Sequence, residues 1–155
     1  MITGRFGDTS GRPFMEGRLI LPRLSIQGDI SFLVDTGADC SMVMPSDAKR
    51  LGVPYELLQG DRECGGIGGT AHSFVERAIL VFTDPQVMLY AYDLEIDIMP
   101  DDGEMEEVPS LLGRDVIDRW RVTYDPQGVG LRAKPHSADM TIDLKTGVAG
   151  SGTSP

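Results

Sequence analysis

Among the residues able to do chemistry, Asp35 holds the most suggestive place. It ends the apolar run Phe32-Leu33-Val34 and is followed by Thr36-Gly37-Ala38-Asp39. A strand of Phe, Leu and Val carries its last residue toward low-dielectric surroundings, and Gly37 lets the backbone turn tightly just after it. A lone carboxylate there would simply protonate. Two that share one proton make an acid and a base, because like charges a few ångströms apart cannot both ionise and their pKa values split. No second Asp-Thr-Gly or Asp-Ser-Gly occurs, and Asp101-Asp102-Gly103 lies in an acidic loop with no apolar strand leading into it. One motif per chain calls for a partner chain. The simplest closure is a two-fold homodimer in which Asp35 of each copy faces its mate across the axis.

Two later segments accompany the first: Cys64-Gly65-Gly66-Ile67-Gly68-Gly69-Thr70 and Leu111-Leu112-Gly113-Arg114-Asp115-Val116-Ile117. The glycines on either side of Ile67 permit a tight hairpin tip to lie flat over an extended chain, with Ile67 as an apolar contact. In order, spacing and wording the three segments resemble the retropepsins, the aspartic proteases of retroviral type, from about Leu19 to Arg132. The resemblance implies an all-β acid-protease barrel with one or two short helices and a Gly-rich flap hairpin. It implies an aspartic endopeptidase working without cofactor or metal on extended peptides, with Asp35, Thr36 and Gly37 as the catalytic triplet. Thr36 would bind across the dyad and Gly37 would offer its carbonyl to the substrate. Ala38, Asp39, Gly66, Ile67, Gly68 and Gly69 complete the implied substrate site, with backbone groups of the flap tip binding through water. Leu112, Gly113 and Arg114 support it, Arg114 by a bidentate pair with Asp39.

The elements that must hold these residues are short. Residues 1–13 lack periodicity and read as a flexible arm, residues 14–135 as the folded domain, and residues 136–155, polar and rich in Gly, Ser and Thr, as a disordered tail. Strand signals begin at Phe14, with Gly28-Asp29 as a hairpin turn into Ile30 to Asp35. A short helix spans Pro45 to Gly52, with Ser46 as N-cap and Gly52 as its stop. Strands over Ala78 to Phe82 and Val87 to Ile98 flank Asp84-Pro85-Gln86, and a second helix runs from about Arg114 to Arg119. Strands around Asp125-Pro126-Gln127-Gly128 then form a hairpin that the retroviral enzymes lack, which either supplies a different dimer interface or caps the sheet.

Composition restricts the alternatives. The 155 residues, 41% of them apolar, suffice for one core, and 19 glycines and 10 prolines separate many short apolar runs. A net charge of −10 with no Lys/Arg cluster argues against a nucleic-acid surface. No stretch approaches a membrane span and the N-terminal region lacks a signal-like apolar core, so a cytoplasmic protein with no membrane partner is expected. Cys40 and Cys64 are too few for a disulfide framework; they read as two inert thiols, with a redox latch between loop and flap as the alternative.

Other chemistries fit less well. Asp35 alone would pass for a strand-end Asx turn. Gly66 to Ala71 matches a dinucleotide fingerprint but has neither the buried strand before it nor the helix after it. Asp93, Glu95 and Asp97 share a strand face, best read as solvated. His72 and His136 form no zinc motif, and neither Cys40 nor any serine has a supported triad. The competing reading of the whole chain is a catalytically silent relative that keeps the cleft for peptide binding or dimerisation.

Overall fold

The computed structural model describes residues 1–66, 69–85, 87–105 and 107–153. In chain order the strands are β1 (Ile2–Thr3), β2 (Arg5–Phe6), β3 (Pro13–Leu21), β4 (Ile26–Val34) and β5 (Met42–Val43), followed by helix α1 (Pro45–Leu51). Then come β6 (Arg62–Gly66), β7 (Gly69–Asp84), β8 (Met88–Ile98), β9 (Leu111–Leu112) and helix α2 (Arg114–Ile117). β10 (Trp120–Asp125), β11 (Gly130–Pro135), β12 (Ser137–Asp143) and β13 (Ala149–Thr153) complete the chain.

Six of these strands close on themselves. β8 pairs with β5, β5 with β9, β9 with β4, β4 with β3, β3 with β7, and β7 returns to β8. The alternation that fills this barrel is visible in β3, where Met15, Leu19 and Leu21 are buried while Glu16 and Arg18 face out. Inside, the Phe82 ring meets Trp120 edge-on at 4.9 Å and Tyr92 at 6.1 Å. A side chain at Gly17 would begin 2.6 Å from Phe82, so the ring lies against bare backbone. Tyr92 is fully buried and its hydroxyl accepts a 2.6 Å hydrogen bond from the Trp120 indole N–H. Burial pushes its phenol up to about 12.

β7 belongs to two structures at once. Phe74 to Asp84 pair with β8 in the barrel wall, whereas Gly69 to Ser73 run on beyond it and pair with β6. The hairpin expected from the glycine-rich segment is therefore an extension of a barrel strand.

Several expectations are corrected. Gly28 and Asp29 lie inside β4, and the turn before it is the 3-10 segment Pro22–Leu24 closed by Ser25 at φ 53°. Gly28 answers to packing instead: a Cβ there would sit 2.1 Å from Leu51 Cδ2 on α1. The N-cap of α1 is Met44 rather than Ser46, since Pro45 with its fixed φ takes the first helical turn. The stop at Gly52, φ 75°, is as expected. α2 ends at Ile117, two residues early. Residues 1–13 are not a loose arm: β1 pairs with β11, β2 with β3, and Ile2 is buried. Nor is 136–155 a structureless tail, for Met140 to Asp143 pair with β8 and β13 folds back on β12. Charge adds to the contact of buried Ala138 with the core. Arg119 grips Asp139 with two 3.0 Å hydrogen bonds, and Asp139 accepts the Asp93 N–H at 2.8 Å. The hairpin β10–β11 forms where expected and, with β1, makes a three-stranded sheet. Among the described residues no helix is long and apolar enough to cross a membrane.

Candidate active site

Asp35 follows directly on β4, and its height is set by pairing with β9. Leu33 N–H donates to the Ser110 carbonyl at 2.8 Å and Asp35 N–H to the Leu112 carbonyl at 3.0 Å. The carboxylate is half-buried; Oδ1 accepts the Gly37 N–H at 2.9 Å, and Ala38 N–H returns to the Asp35 carbonyl at 3.2 Å. The Asx turn and the Asp-Thr-Gly loop are thus one structure, with one carboxylate oxygen held in place by the loop. Thr36, Gly37 and Asp39 are exposed, Ala38 half-buried.

α2 fastens this loop from the other side. Arg114 N–H donates to the Ala38 carbonyl at 2.8 Å and Asp115 N–H to the Asp39 carbonyl at 3.2 Å. The Arg114 guanidinium pairs with Asp39 as expected, but through one nitrogen and at an exposed surface rather than as a bidentate fork. The deeper fastening was not expected. Buried Ser41 donates its N–H (2.8 Å) and its hydroxyl (2.7 Å) to the Asp115 carboxylate and accepts the Gly113 N–H at 3.0 Å. Leu112 is buried beneath, and a Cβ on Gly113 would fall 2.5 Å from the carbonyl carbon of Cys40. That glycine is therefore a requirement of contact between α2 and the loop. Asp115 stood in the third segment and could have been suspected, whereas Ser41 carries no sequence signal beyond a polar residue before an apolar strand.

A second polar contact supports the loop's exit. Ser110 accepts the Met44 N–H at 3.0 Å and donates to Asp47 of α1 at 2.7 Å.

The hairpin is joined to the same loop. In it Arg62 opposes Ser73, and Gly66 opposes Gly69 at the tip. Gly69, at φ 118°, has a backbone that a side chain would strain. Ile67 and Gly68, the expected centre of the tip, lie outside the described residues. At the base, Arg62 Nη1 is 3.4 Å from Cys40 Sγ and 3.3 Å from Asp97, while Nη2 reaches Glu95 at 3.1 Å. Asp97, 2% exposed, is thus not part of a solvated strand face. Cys40 is a free thiol whose pKa is raised, first by burial and then by the Asp97 charge. That makes it a poor nucleophile at neutral pH. The latch to Cys64 involves a side chain outside the described set.

The model for the family described as aspartyl protease matches residues 24–116, so the chain belongs to that family. The fold is retropepsin-like. A retropepsin-like aspartic protease from Rickettsia conorii is similar with a TM-score of 0.50 and 20% identity, over 81% of this chain and 83% of that one. The EIAV protease in complex with the inhibitor HBY-793 is similar with a TM-score of 0.47 and 17% identity, over 72% of this chain and 90% of that one. A 48-residue stretch is 44% identical to corticosteroid-binding globulin of Rattus norvegicus. It takes in 31% of this chain and 12% of that protein.

Proposed function

We propose that this protein is an aspartic endopeptidase that cleaves extended peptides at a site made by Asp35 of two copies. The observation that carries the reading is the Asp35 loop itself, a carboxylate oriented by Gly37 N–H at the end of a barrel strand and fastened by α2. A single chain offers one such loop, so the acid and base roles need two. One ionised Asp35 takes a proton from a water held between the pair. The resulting hydroxyl attacks the peptide carbonyl, and the protonated Asp35 of the second copy donates to its oxygen. Collapse of the tetrahedral intermediate, with proton transfer to the amine, yields a carboxylic acid and an amine. Thr36 joins the two loops across the axis, and Gly37 accepts a substrate N–H. The hairpin residues Gly66, Ile67, Gly68 and Gly69 act as a flap that excludes water and lets the substrate add as a strand, with Ala38 and Asp39 on the opposite wall.

The test compares the parent protein with Asp35→Asn on a diverse peptide mixture from acid to neutral pH, with products identified by mass spectrometry. Cleavage by the parent should fall at least about 10³-fold in the variant. Absence of cleavage by folded, dimeric parent protein would overturn the proposal and favour the silent peptide-binding relative.

A further inference from the structure

Resting on the endopeptidase reading, we propose that Arg62 is a positioning residue that sets the flap against the catalytic loop. Three elements meet at its guanidinium. β6 carries it, at the base of the hairpin; the loop after Asp35 presents Cys40 Sγ at 3.4 Å; and β8 presents Asp97 at 3.3 Å and Glu95 at 3.1 Å. Asp97 is also joined to the loop by its backbone, since its N–H donates to the Ser41 carbonyl at 3.2 Å. The same serine fastens Asp115 and Gly113. A chain of direct contacts therefore runs from the hairpin base to α2 and passes through the residues that shape the Asp35 loop.

The chemistry explains why an arginine suits this place. A carboxylate as buried as Asp97 is tolerated when a cation stands beside it. The planar fork of a guanidinium can meet Asp97 and Cys40 with one nitrogen and Glu95 with the other, whereas a lysine ammonium is a single point. Among the described residues β6 is an edge strand, paired along one side with β7. Side-chain contacts at its base thus restrict how the two-stranded arm pivots where β7 leaves the barrel. The stretch of β7 from Gly69 to Ser73 moves with it.

Counter-ion and positioning roles are separable by experiment. Arg62→Met removes the guanidinium from beside Asp97 and should lower the thermal midpoint. Two further variants restore the charge balance without the three-way contact: Arg62→Lys, and Arg62→Met combined with Asp97→Asn. Both should recover most of the thermal midpoint yet keep KM for a cleaved peptide about tenfold above the parent, with kcat within about threefold. Amide exchange over Gly69 to Ser73 should also stay about tenfold faster than in the parent. If either variant regains parental KM and parental exchange along with stability, Arg62 is only a counter-ion and the proposal fails. If the parent cleaves nothing, the endopeptidase reading fails while the exchange comparison still decides whether Arg62 holds the hairpin.

Discussion

Ser41 shows how much a small hydroxyl can do when buried between two loops. It donates twice to Asp115 and accepts from Gly113, so Ser41→Ala leaves a carboxylate oxygen and a backbone N–H short of a partner in a buried place. The expected cost is about 1–3 kcal/mol, read as a lower denaturant midpoint at unchanged slope. Turnover should fall more than stability suggests, because the loop that loosens carries Asp35. Gly113→Ala attacks the same contact by volume. Its Cβ would meet Cys40 and Ser41 backbone at 2.5–2.9 Å, and backbone cannot step aside as a side chain end can. A loss of about 1–3 kcal/mol is expected in equilibrium unfolding. A neutral result would mean that α2 can shift without cost.

At the scale of elements, charge does work that apolar burial does elsewhere. Arg119 hydrogen bonds hold the Asp139 carboxyl below its usual range, and Arg77 does the same for Asp93. A carboxylate with a depressed folded pKa contributes stability above its unfolded value, near 3.8, and loses it as pH falls through the folded one. Arg77 and Asp93 lie on β7 and β8, which pair all the way from Phe74 to Asp84, whereas β12 meets β8 over the short run Met140 to Asp143, so β12 should loosen in acid before the barrel does. Hydrogen exchange over Met140 to Asp143 should rise below about pH 4 while Leu80 and Ile96 remain protected. Equal loss in both would place the acid-sensitive step in the barrel.

The same elements show what could be read from residues. The three glycine-bearing segments are legible because each combines special backbone needs with fixed order, and they locate Asp35, the hairpin and α2. β12 carries a short alternation, Ala138, Met140 and Ile142 between polar residues, but the glycine-, serine- and threonine-rich stretch around it hides that signal, and its partners, Arg119 and the edge of β8, are distant in the chain. Gly28 misleads for a related reason. A glycine at a turn and a glycine beneath a packed leucine look alike until Leu51 is seen above it.

For the molecule as a whole, the proposed dimer brings together two bodies that each carry a net charge of −10. Long-range repulsion opposes their approach and is screened over roughly 10 Å at 0.1 M salt. Association should therefore tighten as salt rises from about 10 to about 200 mM, measured by sedimentation. Weakening with salt would show instead that opposite charges meet across the interface. The first strand adds a consequence of its own. β1 completes a sheet within its own chain, pairing with β11 and burying Ile2. Separation of two such copies parts folded bodies without unravelling that sheet, so subunits should exchange freely between dimers. Mixing parent with an equal amount of Asp35→Asn should then leave about a quarter of the activity of the same total amount of parent, as inactive chains capture active ones by mass action.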